Sequence, residues 1–298
     1  MKPVSLVSLV SLVSLVLGAA ILLAATAARA EPKLTTTTFT SSPSGFLVNS
    51  TLVAGDKEAV LVDAQFSLAD AHRLVGTILD SRKALTTVYV THFHPDHYFG
   101  LTVIKQAFPK ARFVALPGAV AQIKKTWAAK VKQWGPMYGD LVPKQPVLPV
   151  ALKGKTISIE GQALEIKGPA QGDSADNTYV WIPSTKTLIT GDLVYAGVHP
   201  WTAETTAATR KAWMKSLDEL SALGATTVIA GHKDPKLEDD PSAIRATRDY
   251  LEAFDAAVAS SKTSAEVQQK LKAKYGGLQL EIILQLGADA AFPPPAKK

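Results

Sequence analysis

The sequence predicts an α/β chain in which two mixed β-sheets pack face to face with helices on the outside, a four-layered αβ/βα sandwich. Three observations lead there. Short β-type runs alternate with segments of helical spacing along the whole chain. The order strands, helix, strand, helix occurs twice, once on each side of a proline-rich stretch at 143–149. Hydrophobic residues make up 47% of the chain, enough to cover sheets on both faces.

Residues 1–30 read as an export signal rather than as fold. Lys2 gives a short positive start, 4–28 is apolar with interspersed serines, and Ala28-Arg29-Ala30 forms a small-residue cleavage site. The same apolar run is long enough to span a bilayer if it stays uncleaved, which would be the chain's one membrane attachment. Cleavage starts the mature chain near Glu31, makes 31–298 one domain, and places the protein in the periplasm or outside the cell. Lys2 and Arg29 leave with the signal, so the formal charge of +6 falls by two. With no dense basic block and no nucleic-acid motif, the partner is a small-molecule substrate rather than a nucleic acid. The chain has no cysteine, which excludes disulfides, thiolate ligands, a Cys nucleophile and a lipid-anchored N-terminus. The sequence does not specify an oligomeric state.

The elements follow in order. A polar Ser/Thr-rich lead-in, at 35–38 and 41–44, precedes a hairpin of strands 46–53 and 59–62 around Gly55-Asp56. Apolar positions Leu68, Ala71, Leu74, Val75 and Ile78 predict a helix over 68–79. A strand at 87–90, a helix at 98–108 and a strand at 112–115 come next. The helix at 120–134 carries Lys124, Lys125, Lys130 and Lys132, with Trp127 and Trp134 seven apart. It reads either as an amphipathic surface helix or as a lid over a substrate. After 143–149, strands are expected at 147–152, 156–159, 163–166, 178–182 and 187–190. A helix at 206–223, a strand at 227–230, helices at 243–259 and 264–275, and a loose tail from 293 complete the chain.

Function concentrates at strand ends. Thr91-His92-Phe93-His94-Pro95-Asp96-His97 places three of the six histidines and an aspartate within six positions, directly after an apolar β-run. Cores avoid such residues and exposed loops do not need them. His-x-His lets two imidazoles converge on one ion, and the following Asp-His can serve a second. Imidazole with carboxylate suits Zn²⁺ and also accepts Fe or Mn. Three other strand ends pair a candidate ligand with a glycine, where backbone can approach closely: Gly172-Asp173, Gly191-Asp192 and Gly231-His232. Asp63, after the strand at 59–62, is a fourth acidic position, suited to supporting a ligand.

Val62-Asp63, the His92-to-His97 run, Thr190-Gly191-Asp192 and Ala230-Gly231-His232 together resemble the metallo-β-lactamase-fold hydrolase superfamily in order and spacing. That resemblance covers 46 to about 235. It implies a centre of two divalent metal ions, in which His92 and His94 hold the first, Asp96, His97 and His232 hold the second, and Asp192 bridges them. It also implies hydrolysis of an ester, lactone or lactam by a hydroxide held between the metals, with Asp96 orienting the nucleophile or shuttling its proton. Zinc is the expected metal, with manganese or iron as alternatives.

One position departs from the pattern. Where the superfamily usually has a third histidine for the first metal, the ungapped match gives Asp173, and a shifted match gives Gln171. Carboxylates at this place are similar to those of alkylsulfatase-like members. With Asp96 and Asp192, Asp173 brings a site of two divalent ions and one hydroxide to zero charge, which lowers Lewis acidity and favours harder metals. The other reading of Asp173 is a turn residue beside a weak first site. A second departure is Tyr195. It stands three residues after the bridging aspartate, where the most similar true β-lactamases have a lysine, and so looks like the quorum-quenching lactonases. It reads either as a catalytic group stabilising an oxyanion or as aromatic packing. His199, on the same loop, lines the pocket or is solvated; His72 is expected at the surface and Trp181 in the core. The alternative to a lactonase- or esterase-like enzyme is a non-catalytic metal-binding member of the fold acting as a periplasmic binding protein.

Overall fold

The computed structural model describes residues 33–293; the expected export segment and the tail from 294 lie outside the described residues. Thirteen strands are described. The first sheet has six, in the order β1 (Thr35–Thr40), β2 (Asn49–Ala54), β3 (Glu58–Val62), β4 (Ala84–Val90), β5 (Arg112–Ala115) and β6 (Val150–Ala151). The β1, β2 and β3 pairings are antiparallel, and those from β3 to β6 are parallel. The second sheet runs β12 (Thr227–Ile229), β10 (Thr187–Ile189), β9 (Asn177–Ile182), β8 (Gln162–Ala170) and β7 (Thr156–Ile159). A short parallel pair, β11 (Tyr195–Ala196) with β13 (His232–Lys233), completes the set.

The pleat sorts the side chains into layers. Val60 and Val62 of β3 and Tyr89 of β4 face the second sheet, where they meet Ile159, Leu164, Ile166, Val180, Ile182 and Ile229. The alternate residues Ala59, Leu61, Val88 and Val90 face outward onto α1 (Leu68–Asp80), α2 (Leu101–Ala107) and α3 (Pro117–Tyr138). Leu188 and Val228 of the second sheet face α4 (Ala207–Ser221) and α5 (Ser242–Ala259), through Trp213, Leu217 and Leu251. This is the expected sandwich, α/β/β/α. Each fully buried Val, Leu or Ile in it stabilises the fold by roughly 1.5–3 kcal/mol. Two further helices, α6 (Ser264–Tyr275) and α7 (Glu281–Ala291), pack on α5 around Phe254, Leu271 and Leu284.

Local chemistry fixes several boundaries. The hydroxyl of Ser67 accepts from the Asp70 N–H to start α1, and Thr263 does the same with Glu266 for α6. Thr206 and Thr209 form a reciprocal cap on α4. Pro117 begins α3, where a missing N–H costs nothing.

The structure corrects three sequence readings. The threonine lead-in is strand β1, because β-branched threonines suit an edge strand with one face toward water. Strand β2 starts at Asn49 rather than at 46, because Phe46 and Leu47 take left-handed φ values of 65° and 53°. Helix α2 starts only at Leu101, after a 3₁₀ turn at Pro95–His97. Helix α7, not expected from the sequence, buries Ile283, Leu284, Gly287 and Ala288, a helical spacing inside a short apolar run.

Candidate metal centre

The chain returns to one spot at the C-terminal ends of its strands. His92, His94, Asp96 and His97 follow β4, Asp63 follows β3, Asp192 follows β10, and His232 opens β13 just after β12. Asp173 lies in the loop between β8 and β9. Two groups result whose ligand-type atoms lie within 4.8 Å of one another: His92, His94, Asp173 and Asp192, and Asp96, His97, Asp192 and His232. Asp192 belongs to both. All seven residues expected as ligands are brought together, and Gln171, the alternative to Asp173, is in neither group; its amide donates to the Gly172 carbonyl instead.

The distances are short throughout. His94 Nδ1 is 2.7 Å from Asp173 Oδ2, His97 Nε2 is 3.1 Å from Asp192 Oδ1, and His232 Nε2 is 3.2 Å from both Asp192 Oδ2 and Asp96 Oδ2. His92 Nε2 lies 3.7 Å from Asp192 Oδ2. Several of the imidazoles and carboxylates are held on their far side. His97 Nδ1 meets Asp63 Oδ2 at 2.8 Å, and the other Asp63 oxygen accepts from the Thr91 N–H. His232 Nδ1 meets the Phe46 carbonyl at 2.7 Å, and His92 Nδ1 the Thr91 hydroxyl at 3.0 Å. Asn177 donates to Asp173 Oδ1 at 2.8 Å. Asp63 itself sits at a positive φ of 62°. Its carboxylate has the supporting place expected for it.

Four buried atoms of the site make no hydrogen bond of acceptable geometry: His92 Nε2, His97 Nε2, Asp173 Oδ2 and Asp192 Oδ1. An orphaned buried polar atom costs about 1–3 kcal/mol, and native structures keep few of them. Four of them, divided between the two ligand groups, fit a pair of cations. The electrostatics agree. Burial opposes charge on His94, but Asp173 and Glu204 raise its pKa to about 10. Burial likewise opposes charge on His232, and Asp192 and Asp96 lift it to about 10. Burial, helped by His97, instead pushes His92 down toward the neutral imidazole that ligates metals. The carboxylates that draw protons onto these rings would equally draw divalent ions.

Tyr195 lies at the site, packed rather than turned toward a substrate oxyanion. It is buried, its ring stacks on His232 with centroids 5.2 Å apart, and its hydroxyl donates to Asp192 Oδ2 at 2.8 Å. Its O–H is therefore spent on the shared carboxylate. His199 is buried rather than solvated, and its Nδ1 meets the Tyr250 hydroxyl at 2.9 Å. Burial lowers its pKa to about 4. Because the unfolded ring takes up its proton near pH 6.5, acid favours the unfolded chain. Stability is expected to fall by up to about 3 kcal/mol between pH 6.5 and 4. Thermal melts across that range check this: the slope should flatten in His199→Gln, and an unchanged slope assigns the acid sensitivity elsewhere. His72 is exposed, and Trp181 is half-buried against the α4 side of the second sheet.

A cleft opens over the two groups, walled by Phe46, Trp134, Trp201, Leu280 and Ile283. Helix α3 supplies Trp134 and Lys130 to it while Lys124, Lys125 and Lys132 stay exposed, so the helix is both a surface element and a wall. Glu204 was not singled out by sequence reasoning. Its carboxylate reaches His94 Nε2 at 3.3 Å and Lys130 Nζ at 3.0 Å, and the hydrogen bond to His94, with Lys130, lowers its pKa to about 2. No motif marks it.

The profile of the Metallo-beta-lactamase superfamily matches residues 43–232, and the chain belongs to that superfamily, a class of metal-dependent hydrolases that typically hold two metal ions. A curated relative, "Metallo-beta-lactamase type 2" of Bacteroides fragilis, is 26% identical over 193 residues, covering 62% of this chain and 69% of that protein. Among solved structures, the DIM-1 metallo-beta-lactamase is similar at a TM-score of 0.56 and 24% identity, over 74% of this chain and 92% of that one. A metallo-beta-lactamase family protein from Thermus thermophilus reaches a TM-score of 0.62 at 20% identity, over 87% and 91%. At these identities the structural likenesses establish the fold.

Proposed function

We propose that the chain is an exported dinuclear metallohydrolase that opens an ester or lactone bond in preference to a β-lactam. The observation that carries this reading is the pair of ligand groups sharing Asp192, with four orphaned atoms among their members. His92, His94, Asp173 and Asp192 would hold one ion, and Asp96, His97, His232 and Asp192 the other, with zinc first and manganese or iron as alternatives. Such ions polarise a substrate carbonyl and make water acidic enough to serve as a nucleophile near neutral pH. Asp96 lines the cleft floor beside His97 and His232, in reach of a proton leaving the nucleophile. The apolar walls exclude water and seat the acyl part of a substrate.

The preference for esters and lactones rests on what occupies position 195. A tyrosine bonded to Asp192 offers no cation to a substrate carboxylate. Tyr195→Phe is expected to lower kcat/KM on a lactone roughly tenfold and to loosen metal binding, because Asp192 loses its donor. Lactone hydrolysis at the wild-type rate removes Tyr195 from the catalytic machinery. The whole reading is tested by metal analysis of the mature protein alongside a panel led by a lactone and a chromogenic β-lactam. Two bound metals with no turnover of any ester, lactone, lactam, thioester or sulfate would favour a periplasmic binding protein.

A further inference from the structure

Lys130 is the one lysine or arginine among the residues lining the cleft. It comes from α3, far in sequence from every ligand, and its side chain is 16% exposed. Its ammonium is already engaged: Glu204 Oε1 lies 3.0 Å away, while Glu204 Oε2 is tied to His94. The acids Asp96 and Asp192 line the same cleft, and the rest of the wall is Phe46, Trp134, Trp201, Leu280 and Ile283.

We propose that the Lys130–Glu204 pair sets the charge of the substrate, selecting molecules whose distal end is uncharged and apolar. This rests on reading the cleft as the substrate site of a hydrolase. An anionic substrate reaching Lys130 must break the ion pair. It then strips Glu204 of its cation, leaving that carboxylate only His94, and places its own charge against an apolar wall that offers no other cation. An uncharged alkyl or aryl group meets no such opposition and covers the aromatic wall. Lys130 is therefore a neutralised cation, present for Glu204 rather than for a ligand. Glu204 in turn fixes which ring nitrogen of His94 faces Asp173.

The test compares two p-nitrophenyl esters of equal chain length, the hexanoate and the adipate monoester, which differ by a terminal carboxylate. The wild-type holoenzyme is expected to favour the hexanoate at least about tenfold in kcat/KM. Glu204→Gln frees Lys130 and is expected to shift the ratio about tenfold toward the adipate ester. The double variant Lys130→Met with Glu204→Gln keeps the wild-type net charge and is expected to show no such gain. Binding is read independently of turnover by quenching of Trp134 and Trp201 fluorescence with hexanamide and with adipic monoamide. If neither ester is hydrolysed but the amides show the same ratios, the hydrolase reading fails and the charge filter stands. Ratios unmoved by Glu204→Gln overturn the proposal. So does a wild type that prefers the anion and loses that preference in Lys130→Met, which would make Lys130 an anion grip.

Discussion

Asp173→Ala is expected to leave the protein with one tightly bound metal per chain instead of two, and to lower hydrolytic turnover by at least about a hundredfold. Asp173 is fully buried, and its Oδ2 is the nearest carboxylate atom to His94 Nδ1. Without it, the first group retains His92 and His94 with a share of Asp192, too few donors to hold an ion firmly. The second group keeps all four of its members, so its ion should stay. Even supporting groups outside the ligand shell are worth ten- to a hundredfold in metal affinity or activity, and a ligand should exceed that. Metal content by elemental mass spectrometry, read beside turnover, decides the matter: two tightly held ions in Asp173→Ala would sink the ligand assignment. Asp173→His returns the usual superfamily residue and is expected to keep two ions while shifting preference toward zinc.

Gly231→Ala should do comparable damage without altering any ligand. An added Cβ would overlap Asp192 Oδ1 and the Gly191 carbonyl, and neither can retreat. Asp192 is gripped by Tyr195 and His232, and the Gly191 backbone lies against the Thr91 side chain. Overpacking of this kind costs typically 1–3 kcal/mol, and backbone overlap places this site at or above the top of that range. The expected result is a fall in melting temperature together with weaker retention of both ions in a chelator titration, since Asp192 serves both groups. An alanine variant that melts and holds metal like the wild type would show that the strand ends can spread apart.

How much of this was legible in the sequence follows from where each residue sits. His92, His94, Asp96 and His97 are adjacent, so their convergence needs one loop only. Asp63, Asp192 and His232 each sit just after a β-run, which is why strand periodicity found them and glycine neighbours confirmed the close packing. Asp173 was found through its place in the superfamily's order, and the structure brings it, rather than Gln171, into the first group. Glu204 and Lys130 were not legible as a pair. They lie 74 positions apart, on a threonine-rich loop and on a helix with several lysines, and only the packing of α3 decides which lysine turns inward. Strand β1 was missed because its threonines carry no apolar alternation, and α7 because a short apolar run does not distinguish helix from strand.

The small β11–β13 pair has a consequence for how the centre comes into being. His232 is tied to the Phe46 carbonyl across 186 positions, and the backbone of Asn49 binds the Gly231 carbonyl. Nearly the whole family-matched segment must therefore be present before the last imidazole finds its seat. Contacts that span so much chain form late, after the loop-closure entropy has been met by the sheets. On the proposed two-metal reading, full loading is expected to follow folding rather than to nucleate it. The ions recovered are then expected to follow the surroundings in which the chain finishes folding: expression in a different compartment should change the metal without changing the fold.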